Sequence, residues 1–134
     1  MAGELLYLDA SALVKLVVAE VESGAVQALV DRWPRRVSSR VAAIELARAI
    51  MRTPDGARLR ARAGDVIAGV ALVELNARIA GAAASLELPT LRTLDAIHLA
   101  SALSLDADVG AFVSYDRRLA QAAEEAGLEV LAPA

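Results

Sequence analysis

The stretch Leu5-Leu6-Tyr7-Leu8-Asp9-Ala10-Ser11-Ala12-Leu13-Val14-Lys15-Leu16 decides the fold. Its first residues form an uninterrupted apolar run, short enough for a strand and of the kind that is covered on both faces. Asp9 ends the run, and from Ser11 onward the pattern is helical. Residues 4–8 therefore read as a buried strand that passes through a carboxylate into a helix over 11–18. The same grammar returns near the other end of the chain, where Ala111-Phe112-Val113-Ser114-Tyr115 runs into Asp116 and then Arg117-Arg118-Leu119.

Between these two units the chain keeps alternating. Residues 22–33 read as a helix and Val37-Ser38-Ser39 as a short strand. A helix follows over 40–52, capped by Ser39 and ended by Thr53-Pro54, then a turn at Asp55-Gly56 and a helix from 56 to about 68. Val70 to Leu75 reads as a third strand. Helices are expected over 76–86 and 93–105, a fourth strand over 111–114, a helix over 117–126 stopped by Gly127, and a last strand over 128–131. Alternating strands and helices imply an α/β fold with a parallel sheet covered on both faces. Ligands in such folds bind beyond the carboxyl ends of the strands, where Asp9 and Asp116 lie. No linker, repeat or low-complexity stretch interrupts the 134 residues, which read as one domain over 1–134.

Composition removes several classes of chemistry. There is no cysteine, so disulfides, thiolate nucleophiles and cysteine-bound zinc are excluded and an intracellular setting is natural. His98 is the single histidine, which rules out a site built from two imidazoles. The longest apolar run, Val66 to Val73, lies between Asp65 and Glu74 and falls far short of the ~18 residues that would span a bilayer. Met1-Ala2-Gly3-Glu4 lacks the positive start of a signal peptide. These features predict a soluble, cytoplasmic protein without a membrane partner. Nine arginines between Arg32 and Arg62 face only Glu45 and Asp55, a local excess of +7 in a chain of net charge −3. Such a block fits a nucleic-acid footprint, a solvated helix face or a contact for an acidic partner.

Four acids stand at informative places: Asp9 and Asp116 after strands, Asp95 early in a helix, and Glu45 between Ile44 and Leu46 within a helix. Each has a structural reading. Asp9 and Asp116 suit helix caps, Asp95 complements a helix dipole, and Glu45 can pair with Arg48 one turn on. Together they admit another. Carboxylates gathered at the ends of buried elements are costly unless a cation neutralises them, and a hard divalent ion, Mg²⁺ or Mn²⁺, does so with oxygen ligands. That combination points to metal-assisted phosphodiester chemistry.

The chain resembles the PIN-domain ribonucleases, most closely the VapC-type toxins of toxin–antitoxin pairs. The likeness is carried by Leu8-Asp9-Ala10-Ser11-Ala12-Leu13-Val14-Lys15-Leu16, by Ser38 through Arg48 around Glu45, by Leu94-Asp95-Ala96-Ile97-His98-Leu99-Ala100-Ser101-Ala102, and by Phe112-Val113-Ser114-Tyr115-Asp116-Arg117-Arg118-Leu119. The four blocks stand in order over nearly the whole chain. The resemblance implies a PIN-like fold of four or five parallel strands flanked by helices. It also implies a site where Asp9, Glu45, Asp95 and Asp116 hold Mg²⁺ or Mn²⁺, with Asp116 acting through water and Ser11 and Ser114 supporting the ligands. Tyr115 is bulkier than the residue usual between Ser114 and the fourth acid.

The activity so implied is hydrolysis of RNA by metal-activated water, leaving 5′-phosphate and 3′-hydroxyl ends, restrained by a small cognate antitoxin, in a protein that commonly forms a homodimer. Arg48, Arg52, Arg58 and Arg117 are candidates to contact the RNA backbone. His98, three residues after Asp95, reads as a packed or surface residue, and Trp33 as part of a core or an interface. A catalytically inert PIN-like module that binds RNA or an antitoxin is the alternative, and the presence of all four acids argues against it. Phosphotransfer enzymes of other α/β classes fit less well: a haloacid-dehalogenase-like enzyme needs a second aspartate where Ser11 stands, and Glu74 is a poor phospho-acceptor for a receiver domain.

Overall fold

The computed structural model describes residues 3–134; Met1 and Ala2 of the amino-terminal segment lie outside them. Five strands, β1 (Leu5–Leu8), β2 (Arg35–Ser39), β3 (Ala71–Val73), β4 (Val109–Val113) and β5 (Val130–Leu131), form one sheet of order β3-β2-β1-β4-β5. Every neighbouring pair is parallel. Helices α1 (Ala10–Val17), α2 (Ser23–Arg32), α3 (Arg40–Met51), α4 (Gly56–Ala68), α5 (Ala77–Ala84), α6 (Thr93–Ser104) and α7 (Arg117–Glu125) connect them, with a short 3₁₀ turn over Asp106–Asp108 before β4.

The apolar runs of β1 and β4 occupy the sheet centre, and the two-residue period of a strand divides each between two cores. Leu6, Leu8, Ala111 and Val113 face one cluster with Leu13, Leu16, Val26, Leu46 and Ile50 from α1, α2 and α3. Tyr7, Val37 and Phe112 face the other, with Leu99 and Ala102 of α6 and Leu119, Ala122 and Ala123 of α7. Both faces are thus covered, as the patterning requires. Trp33, half-buried, packs against the first cluster.

Several boundaries differ from those expected. β2 begins at Arg35, two residues early, because Arg35 and Arg36 pair by backbone with Leu5 and Leu6; register depends on the main chain, with the Arg35 side chain exposed and that of Arg36 half-buried. Arg36 Nη2 donates to the Val30 carbonyl at 3.2 Å. β3 is shorter than the apolar stretch suggested, since α4 continues to Ala68 before Gly69 ends it. α7 does stop before Gly127, which takes a left-handed φ of 96°.

Gly110 marks a tight crossing. A Cβ at this position would run into the Gly3 carbonyl and the Trp33 ring. Gly110→Ala is expected to destabilise the fold by about 1–3 kcal/mol, the usual cost of overpacking. A urea titration measures it, and an unchanged midpoint would show that the start of β1 is free to move aside.

Candidate active site

The chain order places β2 and β3 on one side of β1 and β4 and β5 on the other, so β1 and β4 flank the point where the winding reverses. Open α/β sheets form their crevice at that point. Leu8 pairs with Val113, and Asp9 donates its N–H to the Val113 carbonyl at 3.2 Å. The two strand-end acids, Asp9 and Asp116, therefore leave the sheet side by side.

Asp9 is the fixed centre. It is 3% exposed and is the N-cap of α1. Its Oδ1 accepts from Ala12 N at 3.0 Å and from the Ser11 hydroxyl at 2.6 Å. Its Oδ2 accepts from the Ser114 hydroxyl at 2.6 Å. Burial raises its pKa, and the bonds from Ser11, Ser114 and Ala12 oppose that rise. Ser11 also accepts from Tyr115 N at 2.9 Å, so one hydroxyl ties the loop after β4 to the acid after β1. Both serine hydroxyls thus donate to the Asp9 carboxylate.

Asp116 caps α7, its Oδ1 accepting from Arg118 N at 2.9 Å and Leu119 N at 3.2 Å. The bulk of Tyr115 leaves this geometry intact: its phenol donates to the Pro133 carbonyl at 2.5 Å and its ring lies 4.6 Å from Lys15 Nζ. Asp95 lies in the first turn of α6. Burial raises its pKa first, then the charge of Asp116, with a smaller contribution from Asp9. These couplings place Asp95 within electrostatic reach of both Asp116 and Asp9.

Glu45 is linked to this part of the fold through His98. Its side chain is not paired with Arg48, whose Nη1 instead lies 3.9 Å from Met51 Sδ. Glu45 Oε1 lies 2.7 Å from His98 Nε2, and His98 Nδ1 lies 2.8 Å from Tyr7 Oη. His98 is packed, at 2% exposure, as one reading of the sequence had it, but it packs against a site residue. The sequence signal was present in its place three residues after Asp95; its partner on α3 was not visible at that range.

The donor chemistry fits a hard divalent cation: four carboxylates, with the buried Asp9 and the half-buried Asp95 held above their usual pKa chiefly by burial. Among the described residues, no three His, Asp or Glu side chains stand close enough to enclose an ion as they are placed. A large apolar cavity of about 610 Å³ lies elsewhere, between α3 and α4, and none of the four acids lines it. Arg48, Arg52, Arg58 and Arg117 are all exposed, on α3 or its carboxyl end, α4 and α7. No helix among the described residues is long and apolar enough to cross a membrane.

A family model of the PIN domain matches residues 6–125. Ribonuclease VapC46 of Mycobacterium tuberculosis (strain ATCC 25618 / H37Rv) is 41% identical over 128 residues, covering 96% of this chain and 97% of that protein. Ribonuclease VapC35 of the CDC 1551 / Oshkosh strain is 41% identical over 137 residues, with the same coverage. Among solved structures, M. tuberculosis VapC20, described as a sarcin–ricin loop cleaving toxin, superposes with a TM-score of 0.76 at 16% identity, over 96% of this chain and 99% of that one. VapBC2 from Rickettsia felis, bound to a DNA fragment from its promoter, superposes with a TM-score of 0.70 at 10% identity, over 97% and 99%. At such identities these two show a shared fold.

Proposed function

The chain belongs to the PIN-domain family, with the VapC ribonucleases, and from that premise we propose that it is a Mg²⁺- or Mn²⁺-dependent endoribonuclease toxin. The observation that carries the metal-dependent reading is the buried Asp9 at the winding reversal, held by Ser11 and Ser114, with Asp95 close enough to Asp116 and Asp9 for their charges to raise its pKa. Asp9 is the preset ligand. A carboxylate offers about four lone-pair positions, and its three donors leave one on Oδ2. Asp95, Glu45 and Asp116 supply the remaining carboxylates, Asp116, whose Oδ1 caps α7, acting through water.

Held by these carboxylates, a divalent ion would neutralise charge on the scissile phosphate and acidify a water molecule. The chain offers no competing nucleophile at the site. Ser114 is buried, and Ser11 donates to Asp9 while accepting from Tyr115 N. Cleavage by water leaves 5′-phosphate and 3′-hydroxyl ends. Arg48, Arg52, Arg58 and Arg117 contact phosphates of the RNA, which positions the strand without reading its sequence. A cognate antitoxin restrains the enzyme in the cytoplasm. The exposed apolar Ile44 and Met51 on α3 support pairing into a homodimer.

The test is cleavage of a structured RNA pool by purified protein with Mg²⁺, with Mn²⁺ and with EDTA. Cutting is expected with either ion and none with chelator. Cutting that persists in EDTA would sink the metal-dependent reading, and no cutting with either ion would favour an inert binding module.

A further inference from the structure

Glu45, of the proposed ligands, hangs on a single side-chain partner. Asp9 is held by three donors and Asp116 by two backbone amides. Glu45 projects from the middle of α3, its side chain 24% exposed. Among the described residues, its carboxylate has one hydrogen-bond partner, His98 Nε2. A glutamate with free rotors samples many positions, and a ligand must be held within about half an ångström of its working place.

The geometry points to His98 as a positioning residue that holds Glu45 for metal binding and is itself oriented by Tyr7; this rests on the ribonuclease reading. The direction of each bond follows from the groups present. A carboxylate only accepts, so Nε2 carries the proton given to Glu45. In the neutral tautomer that this proposal assigns, Nδ1 accepts from the Tyr7 hydroxyl. Tyr7 is fully buried, its ring stacked on Phe112 at 5.0 Å and set edge-on to His98 at 5.9 Å. Ser38 and Ser101 give their own protons to the carbonyls of Leu8 and Ile97. The Glu45 carboxylate thus selects the tautomer, and Tyr7 on the core strand β1 fixes the place of the α6 imidazole against which the α3 carboxylate rests. Carboxylate ligands are commonly oriented through such outer partners.

Because His98 is the single histidine, its ring nitrogens give an unobstructed ¹⁵N NMR signature without metal or RNA. A pyrrole-type Nε2 and a pyridine-type Nδ1 are expected; the reverse assignment would overturn the proposal. The functional arm compares His98→Gln, whose amide nitrogen falls near the place of Nε2, with His98→Asn, whose amide falls near Nδ1. His98→Asn is expected to lower both kcat and Mn²⁺ affinity by roughly 10–100-fold with KM for RNA held, and His98→Gln to recover most of the loss. Equal loss in both, or recovery in His98→Asn alone, would show core packing instead. If both variants unfold in a thermal melt, Tyr7→Phe decides: weakened Mn²⁺ binding supports the relay and unchanged binding overturns it. A wild-type protein that neither binds Mn²⁺ nor cuts RNA would remove the ribonuclease reading and this role with it. Wild-type cutting alongside unaffected variants removes the positioning role alone.

Discussion

Asp9→Asn is expected to abolish RNA cleavage, by roughly a thousandfold or more, while leaving the protein as stable as before or more so. The loss follows from the charge stabilisation a bound ion brings to a phosphoryl transition state, several kcal/mol at 1.36 kcal/mol per decade of rate. The retained stability follows from the cap. Asparagine caps a helix about as well as aspartate, and its carbonyl can still accept from Ala12 N, the bond Asp9 makes at 3.0 Å.

What the substitution removes is a carboxylate whose pKa is raised by burial. A raised native pKa means that the native state binds more protons than the unfolded chain between the ordinary carboxylate range and the native value, so stability falls as pH rises through that window. Asp95, raised for the same reason and by Asp116, adds to the fall. The metal-free wild type is therefore expected to melt at a lower temperature at neutral pH than in mild acid, with a weaker dependence in Asp9→Asn. Thermal melts across pH in EDTA measure this. A variant that cuts RNA at the wild-type rate would remove Asp9 from the site, and one that melts far below wild type would make its main role structural.

How much of this was legible in the sequence depends on the range of each interaction. β1, β4 and the caps at Asp9, Ser39 and Asp116 are local: an apolar run, a polar cap, then helical spacing. The structure finds all three caps in use. The support of Asp9 by Ser11 is local as well, and that by Ser114 was visible only through the resemblance, being a contact across 105 residues. The α4–β3 boundary was blurred because apolar residues continue through it, and only the backbone turn at Gly69 separates the elements.

Glu45 shows where local reasoning stops. The helix rule joins it to Arg48, yet the fold brings His98 from 53 residues away on a packed helix. A buried imidazole offers a fixed, desolvated partner, whereas an exposed Arg48 contact would be worth only a few tenths of a kcal/mol. Tertiary placement outweighs helical proximity, and no pattern within one helix reports it.

Phe112→Ala is expected to produce the converse of Asp9→Asn: a large loss of stability with the ligands still in place. Phe112 is the only phenylalanine of the chain. It is fully buried at the centre of the second core, stacked on Tyr7. Truncating such a ring costs about 3–5 kcal/mol, a large share of the roughly 5–15 kcal/mol that holds a domain of this kind. The neighbours are poorly placed to close the cavity. Ala102, Ala122 and Ala123 of the same cluster have no side-chain length to move into it, which leaves Leu99, Leu119 and Val37 to close what they can. A fall of roughly 10–20 °C in Tm is expected from the heat of unfolding for this size. Excess Mg²⁺ should recover part of it, since a ligand of the native state adds about 2.7 kcal/mol at a hundred times its Kd. Asp9→Asn should show no such rescue, because its ligand is gone. A Phe112→Ala protein that melts within a few degrees of wild type would mean that the second core closes around the loss. One that melts low but gains nothing from Mg²⁺ would mean that the ring also holds the carboxylates in register, through Tyr7 beneath His98.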